Sequence, residues 1–262
     1  MQLASIVSER FGFKIPQAYV RMAEAGLLAL ARSGVKSPSA DASKTKKLYT
    51  RERALAACDL QWLSTEEIAA RIQRSYSNAS SDDPSVLSGG RRSFFRSSRW
   101  PADFVYVPFA ENRAGDEWGW APSLGEPGAV EPPIMFLTQD AAEGRIAAPT
   151  FATFLFRMTL ESLAHCPHDK SEMALSERIA MLRGSTRAVL DFLPAELSAR
   201  LDRVLELPIR KVTVRALREK DGKFYRASET THLSLVAADW AARIVREELE
   251  DPRVDQPLRI DV

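Results

Sequence analysis

Apolar residues near the start of the chain recur at the spacing of a helix. Tyr19, Met22, Ala23, Leu27 and Leu30 fall three and four apart, so they line one face of a helix that begins near Ile15. Pro16 suits its first turn, where a missing N–H leaves no bond unmade. Gly34 offers a stop. The polar stretch from Val35 to Lys47 has no period and reads as a loop. Leu60 to Leu63 is a short strand candidate that runs into Ser64-Thr-Glu-Glu67. That pattern is a capping box, in which the Ser64 hydroxyl accepts from the N–H three residues on and Glu67 reaches back. Ile68, Ala69 and Ile72 then supply the buried face of a second helix. Ser77 to Ser93, rich in Ser, Gly and Asp, reads as a second loop or insertion.

From Trp100 the period changes to that of strands. Phe104–Phe109, Glu117–Trp120, Pro133–Leu137 and Arg145–Ala148 are short β-rich runs with turn-like connections, which favours an antiparallel meander. Trp118 and Trp120, two apart, share a face. Gly119 between them marks a bulge or the close approach of another backbone. Thr150 caps a helix whose face carries Phe151, Phe154, Leu155, Met158 and Ser162. After His165-Cys-Pro-His168 the pattern is helical again, through Leu175, Ile179, Leu182, Val189, Leu190 and Leu193. Pro194 opens a further helix, and Val212 and Val214 begin a strand pattern. Lys220-Asp-Gly-Lys223 is the clearest hairpin signal in the chain. Trp240, Ile244 and Leu249 belong to a last helix. The expected fold is α+β: residues 1–168 form an antiparallel sheet with helices covering one face, and residues 169–262 form a C-terminal α+β extension, helical with a β-hairpin.

Composition narrows the function classes. The chain is 262 residues long, 45% hydrophobic and 27% charged, which is the balance of a globular protein. Its net charge of +1 argues against a general nucleic-acid binder. The charge is uneven, however. Between Trp100 and Ala148 stand Asp103, Glu111, Asp116, Glu117, Glu126, Glu131, Asp140 and Glu143 against Arg113 and Arg145. Such a bias either solvates a sheet edge and blocks strand addition, or complements a basic partner. Lys44, Lys46, Lys47, Arg51 and Arg53 form an opposite, basic run. Cys58 and Cys166 make no disulfide framework, so a reducing, cytoplasmic setting is expected. No leader-like segment and no apolar run of ~20 residues is present, so no membrane partner is expected.

Reactive chemistry leaves little trace. No Ser/His/Asp or Cys/His arrangement, phosphate loop or HExxH pattern occurs. His165, Cys166 and His168 are close in sequence, but a structural zinc takes four ligands, Pro167 ends the helix there, and the other soft donors, Cys58 and His232, are distant in sequence, which disfavours a metal site. Neither a metal nor a cofactor is expected. Gly89 to Trp100 mixes Arg with aromatics as single-strand binders do, yet the neutral net charge favours a plain basic loop.

Taken in order, "FGFKIPQAY", "LQWLSTEEI", "VPFAENRAGDEWGW", "PIMFL" and "APTFATFLFRM" resemble the SUKH superfamily, immunity proteins related to fungal cell-wall-assembly regulators. Pro16 and Tyr19, Leu63 to Ile68, Pro108 to Ala110 with Gly115-Asp116, and Phe151 to Leu155 stand at the positions that carry the likeness. It spans roughly residues 1 to 165. The Asn-Gly-Gly usual after the first helix is absent, insertions interrupt the pattern around 35–56 and 73–99, and residues beyond 168 lie outside the family core. The resemblance implies a cytosolic, non-enzymatic protein that binds and neutralises a cognate secreted toxin effector. On that reading Trp118, Trp120, Asp116, Glu117 and Glu111 are the partner contacts: indoles supply desolvated area and the acids pair with Lys or Arg. The bland alternative packs both indoles under the helices as core. An intracellular scaffold of the same fold is the alternative function, and the sequence sets no oligomeric state.

Overall fold

A computed structural model of the chain describes residues 3–28, 60–77, 104–112, 115–138, 144–164, 166–167, 175–208, 210–220 and 223–234, with positions 241, 243, 247, 255 and 257–258. Outside these fall Leu30, Gly34, the basic run 44–53, Cys58, the Gly89–Trp100 stretch, Asp103, Arg113, Asp140, Glu143, His165, His168, Trp240, Ile244 and Leu249. The chain packs as two compact units. One takes the described residues of 3–28, 60–154 and 249–262, the other those of 155–248. This division runs through a helix, whereas the boundary drawn from the sequence follows that helix at 168.

The first unit opens with α1 (Leu3–Phe11), which buries Leu3 and Val7. Next comes α2 (Gln17–Glu24), with Pro16 at its N-cap and Tyr19 and Met22 buried. The helix ends well before Gly34. Gly26 takes a φ of 70°, its N–H donates to the Ala23 carbonyl and the Leu27 N–H donates to that of Met22. This pair of bonds closes a Schellman motif, which only a residue tolerant of positive φ completes easily. Strand β1 (Gln61–Trp62) leads into α3 (Thr65–Ser77). The capping box forms as expected: the Ser64 N–H donates to Glu67 Oε2 at 2.8 Å and the Glu67 N–H to Ser64 Oγ at 3.2 Å. An N-cap of this kind is worth about 1 kcal/mol.

The strands β2 (Val107–Glu111), β3 (Glu117–Trp120), β4 (Ile134–Leu137) and β5 (Gly144–Ala148) follow as an antiparallel meander. A late strand, β9 (Pro257–Leu258), completes a six-stranded sheet in the order β1-β2-β3-β4-β5-β9. All five of its ladders are antiparallel. Helix α4 (Phe151–Ala164) begins at Thr150, whose Oγ1 accepts from the Thr153 N–H at 3.2 Å while Thr153 Oγ1 accepts from the Thr150 N–H at 3.1 Å.

One face of this sheet is aromatic. Trp62, Phe109 and Trp120 meet Tyr19 of α2 and Phe151 and Phe154 of α4, and all six are buried. Tyr19 stands edge-on to Trp120 at 5.0 Å and to Phe151 at 5.4 Å between ring centroids, and Trp62 stacks on Phe109 at 5.8 Å. Such pairs add about 0.5–1.5 kcal/mol each beyond area burial. The opposite face is covered too. Tyr106, Ala121, Met135 and Leu137 form a second cluster, with Phe104 and Leu124 packed against it.

In the second unit α4 is buried on nearly every side: Leu155, Phe156, Met158, Thr159, Leu160, Ser162, Leu163 and Ala164 are all inside. The expected single face was thus too narrow. Thr159 and Ser162 satisfy their hydroxyls on the carbonyls four residues back, and Arg157 pairs with Glu161 at 2.8 Å along the polar stripe. Strand β6 (Cys166–Pro167), helix α5 (Leu175–Leu190) and helix α6 (Ala195–Leu205) come next, the last burying Leu197, Leu201, Val204 and Leu205. Then β7 (Arg210–Lys220) and β8 (Lys223–Ser234) pair antiparallel, with Lys220 opposite Lys223, so the hairpin forms where Asp-Gly announces it. The sheet order is β6-β8-β7. Among the described residues no helix is long and apolar enough to cross a membrane, and no group of three His, Cys, Asp or Glu side chains is placed to hold a metal ion.

Candidate partner-binding site

Strands β2 and β3 bring their acids together. Glu111 lies directly across the ladder from Glu117, and residues opposite one another share a face of the sheet. Two carboxylates so placed repel unless a cation lies between them. Arg71 of α3 supplies it: Nη2 donates to Glu111 Oε2 at 2.6 Å and Nη1 donates to Glu117 Oε1. The guanidinium thus bridges the two strands with a separate N–H for each acid. The three side chains are only 24%, 24% and 14% exposed, Glu117 least. Burial raises the Glu117 carboxyl above the ordinary glutamate range; Arg71 pulls it back down and Glu111 adds to the rise. The buried Tyr106 phenol beside them is raised as well, chiefly by burial and then by the Glu117 charge.

Asp116 holds the turn that joins the strands. Its carboxylate accepts from Asn112 Nδ2 at 2.8 Å, its N–H donates to Asn112 Oδ1 at 2.9 Å, and its carbonyl accepts from the Asn112 N–H at 2.9 Å. Gly115, at a φ of 91°, donates to the Asn112 carbonyl at 3.1 Å. This strand end thus carries Asp116 beside the Glu111–Arg71–Glu117 bridge, with Arg113 of the same turn lying outside the described residues.

The two indoles go elsewhere. Trp120 has no exposed surface; it packs at 4.7 Å from Phe109 in the aromatic core. It is a core residue and offers a partner no area. Trp118 retains 8% exposure and lies 5.0 Å from Phe136. Phe136 in turn carries the Arg145 guanidinium 4.9 Å above its ring, and Arg145 reaches Asp255 at 3.8 Å. Trp118, Phe136 and Arg145 are in register across β3, β4 and β5, so this row belongs to the sheet. Of the five expected contacts, the fold brings Glu111, Asp116 and Glu117 to one strand end and turns Trp120 inward. Of the two expectations for Gly119, the close approach of another backbone is met: the Val107 carbonyl oxygen of β2 lies 2.6 Å from where a Cβ would stand, with the Tyr106 ring beside it, while the register shift lies across the ladder in β2, between Pro108 and Ala110.

Arg71 is the residue that sequence reading missed. It stands four after Glu67, a spacing that suggests a helical ion pair, but Glu67 Oε2 is committed to the Ser64 N–H. Glu131 was also missed in its structural role: Oε2 accepts from the Phe151 N–H at 3.2 Å, placing a carboxylate at the start of α4, where the helix dipole favours it.

Comparison with known protein families, with curated proteins and with solved structures finds no match.

Proposed function

We propose that this chain is a protein-binding module of the immunity kind, which binds and neutralises a cognate secreted toxin effector in the cytoplasm and carries out no catalysis of its own. The observation that carries the reading is the acid-bearing strand end: Asp116 in a turn held by Asn112, beside Glu111 and Glu117, which face each other across Arg71. Three carboxylates against the Arg71 guanidinium leave this strand end acidic, which suits a surface rich in Lys and Arg, such as that of an enzyme built to grip phosphate backbones, and raises the rate and selectivity of encounter. The SUKH resemblance of residues 1–165 points to the same class of function. Tyr19, Phe109 and Phe151, from three of the five segments that carry it, meet in one aromatic cluster.

The test is rescue. The chain is co-expressed with the product of the adjacent gene in a strain that this product poisons, and binding of the two purified proteins is measured. Survival with wild type, and weaker binding by Asp116→Lys, is the expected result. Failure of the chain to bind or to protect against any adjacent gene product overturns the reading.

A further inference from the structure

Among the described residues one large apolar side chain stands in water: Val130, 91% exposed, in the β3–β4 connection. The segment from Ala121 to Pro133 holds two acids, Glu126 and Glu131, and no base. The loop around Val130 is braced on both sides. On the near side Leu124 and Gly125 close a helical turn onto the Ala121 and Pro122 carbonyls, each at 3.0 Å, and Leu124 packs against the Tyr106–Met135 cluster. Ser123 Oγ accepts from the Val105 N–H at 2.7 Å. Next, the Ala129 N–H donates to the Glu126 carbonyl at 3.0 Å across Pro127 and Gly128, with Gly128 at a φ of 84°. Pro then Gly at the two central positions is the signature of a type II turn. On the far side Glu131 accepts from the Phe151 N–H, and Pro132 and Pro133 are buried.

A lone exposed valine needs no explanation by itself. A β-branched side chain directly after such a turn, in a loop braced by prolines and these five hydrogen bonds from backbone N–H groups, is a different matter. It has little conformational freedom left to lose on association. We infer that this loop is a docking finger, with Val130 seating in an apolar pocket of a protein partner whose rim carries Lys or Arg facing Glu126 and Glu131. The inference rests on the protein-binding reading above and says which part of this chain enters the partner and what surface receives it.

Binding of the full chain to the adjacent gene product, measured by calorimetry and stopped flow, tests it. Val130→Asp is expected to weaken binding by about 10- to 100-fold, with the thermal midpoint unchanged because the side chain touches nothing in the folded chain that it needs. Val130→Ile is expected to bind as wild type does. Glu126→Lys is expected to slow association, with an effect that shrinks as salt is added. Equal affinity of wild type and Val130→Asp overturns the docking finger while leaving the protein-binding reading intact. No binding by wild type overturns that reading and the finger with it. Self-association of the chain that Val130→Asp abolishes puts a second copy in the partner's place and also overturns it.

Discussion

The ring of Tyr106 lies across Gly119. A Cβ added to that glycine falls 2.6 Å from Tyr106 Cζ and 2.6 Å from the Val107 carbonyl oxygen. The ring is fully enclosed and the carbonyl belongs to the paired strand β2, so neither has room to retreat. Gly119→Ala is expected to cost about 1–3 kcal/mol, the usual range for overpacking a core. Urea unfolding measures it, and an unchanged midpoint shows that the ring moves freely.

Arg71 separates two carboxylates that face each other across a ladder. Arg71→Met keeps the aliphatic stem but leaves Glu111 and Glu117 to repel. A loss of about 1–3 kcal/mol is expected at neutral pH, shrinking as the solution is acidified and the carboxylates take up protons. Adding Glu117→Gln to Arg71→Met recovers part of the loss. Strict additivity of the two changes in a double-mutant cycle argues against the bridge.

Glu117 itself sets a pH dependence. Its carboxyl is raised by burial, so the folded state holds that proton more tightly than the unfolded state. The contribution is present in full below the ordinary glutamate range and is lost as pH rises through the raised value. Glu117→Gln removes this component, so the difference in stability between wild type and variant should drift with pH in that window. Unfolding curves at a series of pH values read it, and a pH-independent difference sinks the assignment.

Tyr19, Trp62 and Trp120 carry a different signal. The Tyr19 hydroxyl and the two indole nitrogens are buried without a hydrogen-bond partner among the described residues, and burial pushes the Tyr19 phenol well above its usual value. Removing an unsatisfied hydroxyl loses no bond. Tyr19→Phe is therefore expected to be neutral or stabilising by up to about 2 kcal/mol, whereas Tyr19→Ala costs about 3–5 kcal/mol through the cavity it leaves. Marked destabilisation by Tyr19→Phe shows that the hydroxyl is held by a partner after all.

Local signals were legible and distant ones were not. Ser64 to Glu67 specified a capping box because both bonds lie within four residues. Glu117 to Trp120 and the Lys220–Lys223 hairpin were visible because alternation and turn chemistry are local as well. Helix α2 was read too long because Leu27 and Leu30 continue the apolar step past Gly26, whose φ of 70° no periodicity reveals. Helix α1 is short, nine residues, and buries only Leu3 and Val7, so its apolar step spans little more than two turns and gives a weak periodic signal. Helix α4 is buried on more than the expected face because its charged residues Arg157 and Glu161 fall with Thr153 on a single stripe four apart, leaving only the small hydroxyls of Thr159 and Ser162 among the apolar residues of the remaining surface. The candidate site was half legible. The acids could be counted, but that Glu111 faces Glu117 depends on the register of β2 and β3, and that Trp120 is internal depends on what α2 and α4 bring over it.

Strand β9 has a consequence for biosynthesis. Pro257 and Leu258 pair with Arg145 and Gly144, residues made about a hundred positions earlier. At roughly 5–20 residues per second on the ribosome, the outer margin of β5 waits about 5–20 s for its neighbour to emerge. During that interval the nascent sheet presents unpaired amide and carbonyl groups to any chaperone or sister chain nearby, and a polypeptide halted before Pro257 never ceases to do so.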